Sequence, residues 1–128
     1  MEGKQRSTSV LVKSNTGTIT ASSSGTITFT LPDWASHCER IELEVTSLAM
    51  SAKVDRTGNG GRPIVQDSTK VALLGATTIG TMMDKNRVLR DIDFEKSETV
   101  TFTFTDSSGS NNVANVTIFL RPLVKKAV

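Results

Sequence analysis

A two-residue hydrophobic period runs through much of this chain, and it restricts the fold more than any other feature of the sequence. In the segment 26–31, apolar side chains occupy the odd positions and threonines occupy the even ones. A comparable alternation recurs in 41–46, 99–105 and 116–120. Successive side chains of a β-strand point to opposite faces of the sheet. Each of the four segments is therefore predicted to be a strand with one buried face.

Weaker strand patterns and polar turns fill the rest of the chain. Asn15-Thr16-Gly17 is typical of a tight turn, and the longer polar loop 106–112 predicts a terminal hairpin between the last two strong strands. No segment shows a sustained helical period. The five weaker strand segments are Ser9–Lys13, Gly17–Ala21, Ala49–Val54, Thr69–Leu74 and Val88–Phe94.

This pattern predicts an all-β fold, an antiparallel β-sandwich of about eight or nine short strands. We expect a jelly-roll-like arrangement, because tight turns alternate with longer loops. An immunoglobulin-like sandwich is the alternative. Phe29, Leu43, Phe102 and Ile118 are the central apolar residues of the strong strands, so we expect them to share one core.

The length of 128 residues fits a single domain, 1–128, with short polar tails at both ends. No apolar run approaches the roughly 20 residues that a membrane helix requires. The segment Met1–Ser9 lacks the apolar region of a secretory signal peptide, and Cys38 is the only cysteine. We therefore expect synthesis in a reducing cytoplasm, without an internal disulfide.

The net charge of +2 does not by itself predict binding to nucleic acid. Basic residues nevertheless cluster near the ends, with Lys4, Arg6 and Lys13 at one and Arg121, Lys125 and Lys126 at the other. Solvated tails are the ordinary interpretation of such clusters, and docking arms are the alternative. Contact with nucleic acid is expected, if at all, through these tails alone.

His37 and Cys38 are the only residue pair that resembles an activated nucleophile. A cysteine needs a base within hydrogen-bonding distance, whereas adjacent residues of a strand point to opposite faces. A zinc site needs three or four ligands, and the chain has no second histidine or cysteine. We expect neither residue to be catalytic or to bind metal. Trp34, a few residues earlier, is expected to cover the end of the core.

Two further groups of residues contain side chains of the kind that bind ions. Asp91, Asp93 and Glu95 alternate along one extended segment, but their spacing matches no calcium loop, so a solvent-facing strand is expected. The loop Arg56–Pro63 combines glycines with two arginines and resembles a phosphate cradle. A phosphate loop requires a helix to follow it, which this sequence does not predict, so a mobile contact loop is expected.

The sequence thus predicts no catalytic, cofactor-binding or metal-binding residue, and no cofactor or small-molecule substrate. Asn115-Val116-Thr117 matches a glycosylation sequon, but it lies within a strand of a chain without a secretion signal. We therefore expect a protein that is not an enzyme.

The threonine-alternating strands 25–31 and 99–105, together with the closing strand 115–122, resemble those of small single jelly-roll or β-sandwich virion proteins of bacteriophages, of the capsid or decoration type. The resemblance covers most of the chain without a diagnostic motif. It implies a structural subunit of a virion, made in the host cytoplasm, that forms a homo-oligomer or contacts other virion subunits.

A carbohydrate- or receptor-binding β-sandwich module is the alternative function. The chain contains one tryptophan and no tyrosine, and these are the residues that sugar- and protein-binding surfaces favour. A small hydrolytic or cupin-like enzyme is a more distant alternative, because the histidines that it would need are missing.

Overall fold

The computed structural model describes residues 11–34, 37–79 and 88–121, which form nine strands and two single-turn 3-10 helices. The 3-10 helices span Asn59–Gly61 and Val71–Leu74. The strands are β1 (Leu11–Ile19), β2 (Ser24–Thr30), β3 (His37–Val45), β4 (Met50–Arg56), β5 (Val65–Lys70), β6 (Thr77–Thr78), β7 (Arg90–Asp93), β8 (Thr99–Asp106) and β9 (Asn112–Arg121).

The strands make two sheets that pack face to face. One has the order β1-β9-β3-β6, with β7 also paired to β3, and the other has the order β2-β8-β4-β5. Strands from the first half of the chain thus pair with strands from the second half in nested order: β1 with β9, β2 with β8, β3 with β7 and β4 with β5. This is jelly-roll connectivity, so the predicted sandwich is confirmed and the immunoglobulin-like alternative is not the arrangement found.

One buried cluster fills the space between the sheets, and Phe29, Leu43, Phe102 and Ile118 all belong to it, as predicted. The rings of Phe29 and Phe102 meet edge to face, with centroids 5.9 Å apart. β8 and β9 alternate strictly between buried and partly exposed positions. The two-residue period therefore places one face of each strand in the core, because the pleat leaves no other way to bury those side chains.

The outer face of the sheet β2-β8-β4-β5 carries most of the threonines that alternate with the core residues. β2 and β8 pair Thr26 with Thr103 and Thr28 with Thr101. Their side chains are exposed or half-buried. β-Branched threonine suits such a half-exposed pleated surface.

Three local predictions were wrong. No turn occurs at Asn15-Thr16-Gly17, because β1 runs through it as a single strand paired with β9. The loop 106–112 does not close a hairpin within one sheet, since β8 and β9 lie in different sheets. Only the first two residues of the predicted strand 69–74 are in a strand, because β5 ends at Lys70 and a 3-10 helix follows.

The side of the sandwich at β1 and β2 is closed by side chains. Lys13 Nζ donates to the Thr30 carbonyl oxygen at 3.0 Å, and Asn15 Nδ2 donates to that of Thr28 at 3.3 Å. Gly17 permits this close approach, because a Cβ there would lie 2.7 Å from Ile27 Cγ1. Within the described residues, β1 forms its ladder with β9 alone and is the outer strand of its sheet, while these two side-chain hydrogen bonds connect it to β2 of the other sheet.

Among the described residues, no helix has the length and hydropathy that crossing a membrane would require.

Candidate functional site

The charged and nucleophilic side chains considered above lie mostly at one end of the sandwich, where β1 begins and β9 ends. We call it the terminal end. Leu11 pairs there with Leu120, and His37 pairs with Arg121. The β2–β3, β4–β5 and β7–β8 connections lie at the same end, because each begins or ends beside these pairs. We call the opposite end, with the β1–β2, β3–β4 and β8–β9 turns, the hairpin end.

A buried ion pair ties the loops of the terminal end together. Arg56, the last residue of β4, donates from Nε to Glu98 Oε2 at 2.6 Å and from Nη2 to Glu98 Oε1 at 2.9 Å. The two side chains are 8% and 0% exposed. Arg56 Nη2 also donates to the Asp93 carbonyl oxygen, and its guanidinium lies over the Phe94 ring. This fork geometry suits a carboxylate held in a protein interior.

Glu98 is ionised in this setting. Burial by itself would raise its pKa, but hydrogen bonds from Arg56 and from the backbone N–H groups of Glu95 and Gly58 hold the pKa below its ordinary value. Gly58 has no room for a side chain, because a Cβ would run into the Glu98 carboxylate. The pair is therefore built into the joint between β4 and the β7–β8 turn.

The glycine-rich loop is consequently not the phosphate cradle that its composition resembled. Arg56, one of its two arginines, is engaged by Glu98, and Gly58 is buried. Arg62, the other, is exposed. The Asn59 N–H that might have met an anion donates to Glu95 Oε2 at 2.8 Å. Only the tip, at Gly60 and Gly61, projects into open space with positive φ angles.

His37 has a partner that the sequence analysis did not foresee. Its Nδ1 lies 2.8 Å from Asp93 Oδ1, and its Nε2 lies 3.6 Å from Asp91 Oδ1. The imidazole is 9% exposed, and Nε2 is buried without a hydrogen-bond partner. β7 supplies both aspartates, because its antiparallel pairing places Asp93 opposite His37. Asp91, Asp93 and Glu95 are exposed, as predicted, and Phe94 is buried.

The environment of Cys38 makes its thiol unreactive. The residue is fully buried, and its Sγ–H donates to the Arg40 carbonyl oxygen at 3.3 Å. Burial is the main cause that raises the pKa of the thiol to about 12. A nucleophilic cysteine requires the thiolate, which this environment disfavours. The contacts of His37 are to aspartates of β7, so the adjacent pair does not form the activated arrangement.

Trp34 does not close the core in the expected way, since it is 49% exposed. The turn that carries it is fastened by the neighbouring Asp33, whose Oδ1 accepts a hydrogen bond from the Ser97 hydroxyl. Leu31, just before this turn, is buried and covers the core at that point. The exposed indole is an apolar surface beside the loops of the terminal end.

The hairpin end contains a second buried carboxylate, which the sequence analysis did not single out. Asp106 accepts hydrogen bonds from the Ser108 hydroxyl and from the backbone N–H groups of Ser22, Ser108 and Gly109. Asn112 Nδ2 donates to it as well, at 2.6 Å. These donors, with the Ser108 hydroxyl foremost, hold the pKa of Asp106 well below its ordinary value. The carboxylate thus fastens the β8–β9 loop to the β1–β2 turn.

At both ends of the sandwich, the buried charged side chains described above form contacts that hold loops in place. Within the described residues, no group of three or more His, Cys, Asp or Glu side chains is arranged to hold a metal ion. The pairs Arg56–Glu98 and His37–Asp93 join positions 42 and 56 residues apart. No sequence motif identifies such pairs. The one available signal is that their charged residues lie at the ends of predicted strands, which does not say which residue pairs with which.

No protein-family model matches the chain, and no curated protein matches it. Among solved structures, the chain is similar to a mitogen derived from Yersinia pseudotuberculosis, at 14% identity over 84% of each chain, with a TM-score of 0.48. It is also similar to a periplasmic inhibitor of g-type lysozyme from Aeromonas hydrophila, at 11% identity over 91% of each chain, with a TM-score of 0.47. A third similarity, to the Gx strain of infectious bursal disease virus, has 12% identity and a TM-score of 0.34, and covers 91% of this chain but 37% of that chain. Similarities at this level identify neither a family nor a function.

Proposed function

We propose that this protein is a structural subunit that assembles with copies of itself, as the capsid or decoration protein of a virion does. The observation that carries the proposal is the placement of charge around the jelly roll. Residues 11–121 contain eleven basic and twelve acidic side chains, whereas the segments 1–10 and 122–128 contain four basic and one acidic. The excess positive charge of the chain is thus concentrated in its two end segments, which favours contacts between the ends of one copy and acidic side chains of another.

The attachment points of the two end segments support the same proposal. Leu11 and Leu120 are ladder partners, so both segments are joined to neighbouring strands at the terminal end. The tip of the glycine-rich loop and the exposed Trp34 lie at this end as well. The two basic segments are thus attached to an end of the molecule that also carries an exposed aromatic residue and an exposed loop, which are features of contact surfaces between proteins.

The engagement of reactive groups in internal contacts favours a structural role over catalysis. Cys38, Arg56, Glu98 and Asp106 are each occupied in holding the fold, and the sole histidine contacts carboxylates of its own chain. Synthesis in a host cytoplasm and residence in a virion are part of the proposal.

The test is the size of the native protein and its dependence on the end segments. We expect light scattering and negative-stain microscopy to find an oligomer or a larger particle for the full chain. Deletion of 1–6 together with 125–128 should weaken assembly while leaving the melting temperature of the subunit nearly unchanged. A second variant replaces the four basic residues of these segments with glutamine and keeps the chain length unchanged. It should also weaken assembly, because it removes the same positive charge.

A full chain that stays monomeric at high concentration, with no partner subunit recruiting it, would overturn the proposal. The carbohydrate- or receptor-binding module would then be the better interpretation, with glycan or receptor binding as its own test.

A further inference from the structure

The tip of the glycine-rich loop contains Asn59-Gly60, the only place in the chain where glycine follows asparagine. The two residues are the central pair of a tight turn, in which the Gly61 N–H donates to the Gly58 carbonyl oxygen at 2.9 Å. Their φ angles are 54° and 69°, a combination typical of a type I′ turn. The turn is anchored where the Asn59 N–H donates to Glu95 Oε2 at 2.8 Å.

The side chain of Asn59 is free, unlike those of the other asparagines that the structure describes. Asn59 is exposed, and within the described ranges its carboxamide has no hydrogen-bond partner. The other four described asparagines each use the side-chain amide in a hydrogen bond to another residue, and they are Asn15, Asn111, Asn112 and Asn115. The carboxamide of Asn59 is therefore the one in this part of the chain that is open to reaction.

The backbone nitrogen that follows this carboxamide is free as well. The N–H groups of Asn59, Gly61 and Arg62 all donate hydrogen bonds, whereas that of Gly60 has no acceptor among the described residues. Gly60 has no side chain, and no atom beyond its chain neighbours lies within 4 Å of the place where a Cβ would be. Neither a hydrogen bond nor a side chain thus shields the Gly60 nitrogen.

We infer that Asn59 is a site of spontaneous deamidation, with the backbone nitrogen of Gly60 as the nucleophile. This nitrogen attacks Cγ of Asn59, so that a C–N bond forms and the bond from Cγ to the side-chain nitrogen breaks. The Gly60 N–H proton passes through solvent to the leaving group, which departs as ammonia and leaves a cyclic succinimide. Water then hydrolyses one of the two ring carbonyl groups and gives aspartate or isoaspartate. Adjacent residues supply both reacting groups, so water is the only co-reactant.

The reaction would change both the charge and the hold of the turn. Either product places a new carboxylate at position 59, whose backbone N–H contacts the Glu95 carboxylate. Like charges at this separation repel, so the hydrogen bond that anchors the turn weakens. Isoaspartate also leads the main chain through the side-chain carbon, which lengthens the turn. The loop therefore becomes more acidic and looser with age. The inference does not rest on the proposed function, because it concerns the chemistry of one turn of the subunit.

The test is incubation of the full chain at mildly alkaline pH, followed by peptide mass spectrometry at intervals. We expect residue 59 to show the mass change of an amide converted to an acid, several-fold faster than Asn111, with isoaspartate identified by electron-transfer fragmentation. Asn59→Gln should remove the reaction, because closure would require a larger ring. Amide hydrogen exchange of the aged protein should be faster at residues 58–62 and unchanged at 99–106.

A matched pair of alanine variants tests the role of the Gly60 nitrogen. Gly60→Ala should slow the reaction several-fold, because its methyl group shields the attacking nitrogen. Gly61→Ala should retain the rate, since Gly61 also has a positive φ, 75°, and open space for a Cβ, but does not supply the nucleophile.

Deamidation of Asn59 no faster than that of Asn111 would overturn the inference, and so would equal rates in the two alanine variants. An aged loop that exchanges as slowly as a fresh one would contradict the loosening of the turn. If either alanine variant does not fold, the comparison of Asn59 with Asn111 in the unaltered chain decides.

Discussion

Arg56 and Glu98 lie 42 positions apart and meet in a two-point ion pair that is almost completely buried. The pair joins the end of β4 to the turn before β8, and through the Asp93 carbonyl oxygen it also reaches β7. It therefore connects the two sheets at the terminal end by means other than apolar packing.

The first prediction concerns this pair. Glu98→Gln should lower the free energy of unfolding by about 3–5 kcal/mol, because it leaves the buried guanidinium without a counter-charge. Glu44→Gln, on the outer face of β3, is the control and should change it by less than about 0.5 kcal/mol. Urea unfolding measures both. Equal losses in the two variants would mean that the ion pair contributes nothing particular to stability.

The second prediction compares the two faces of β8. Phe102→Ala should cost about 3–5 kcal/mol, since it removes a fully buried ring that packs against Phe29. Thr101→Ala and Thr103→Ala, on the outer face of the same strand, should each cost well under half as much. Thermal and urea unfolding of the three variants test this. Comparable losses on both faces would show that the strand is not oriented as described.

The third prediction is the loss of stability in acid. The pKa of Glu98 and that of Asp106 are lower in the folded protein than their ordinary values of 4.5 and 3.8. The unfolded chain therefore binds more protons as the pH falls below these values, so stability is present above them and is lost below them. We expect the melting temperature of the protein to fall steeply below about pH 4. The melting temperature of the Asp106→Asn variant should fall less steeply, because this variant lacks one of the two carboxyl groups. A melting temperature that holds to about pH 2 would contradict this assignment.

The fourth prediction concerns Cys38. With its pKa raised to about 12, the thiol should react with a disulfide reagent at mildly alkaline pH far more slowly in the folded protein than in the unfolded one. The absorbance of the thiolate that the reagent releases follows the reaction, and the denatured protein is the control. Cys38→Ala should remove the signal in both states. Rapid labelling of the folded protein would show that the thiol is accessible and ionised.

Local pattern was sufficient where a segment needed only to bury one face. Phe29 and Phe102 are central residues of strongly alternating strands, and the structure places their rings in contact. Asn15 shows where local pattern failed. The polar run Asn15-Thr16-Gly17 is typical of a turn, yet Asn15 continues β1, because its backbone pairs with β9 and its side chain donates to the Thr28 carbonyl oxygen. Those partners are distant in sequence, and they outweigh the local preference.

The alternation of apolar and threonine side chains determined that this chain forms half-buried strands and which residues enter the core, because the period of two is a property of each strand alone. The tertiary structure decided which strands are neighbours, and with them the partners of every charged side chain. His37 acquires Asp93, and Arg56 acquires Glu98, only because the chain folds back on itself in nested order. Ion pairs depend on distance in space, and a sequence records only distance along the chain.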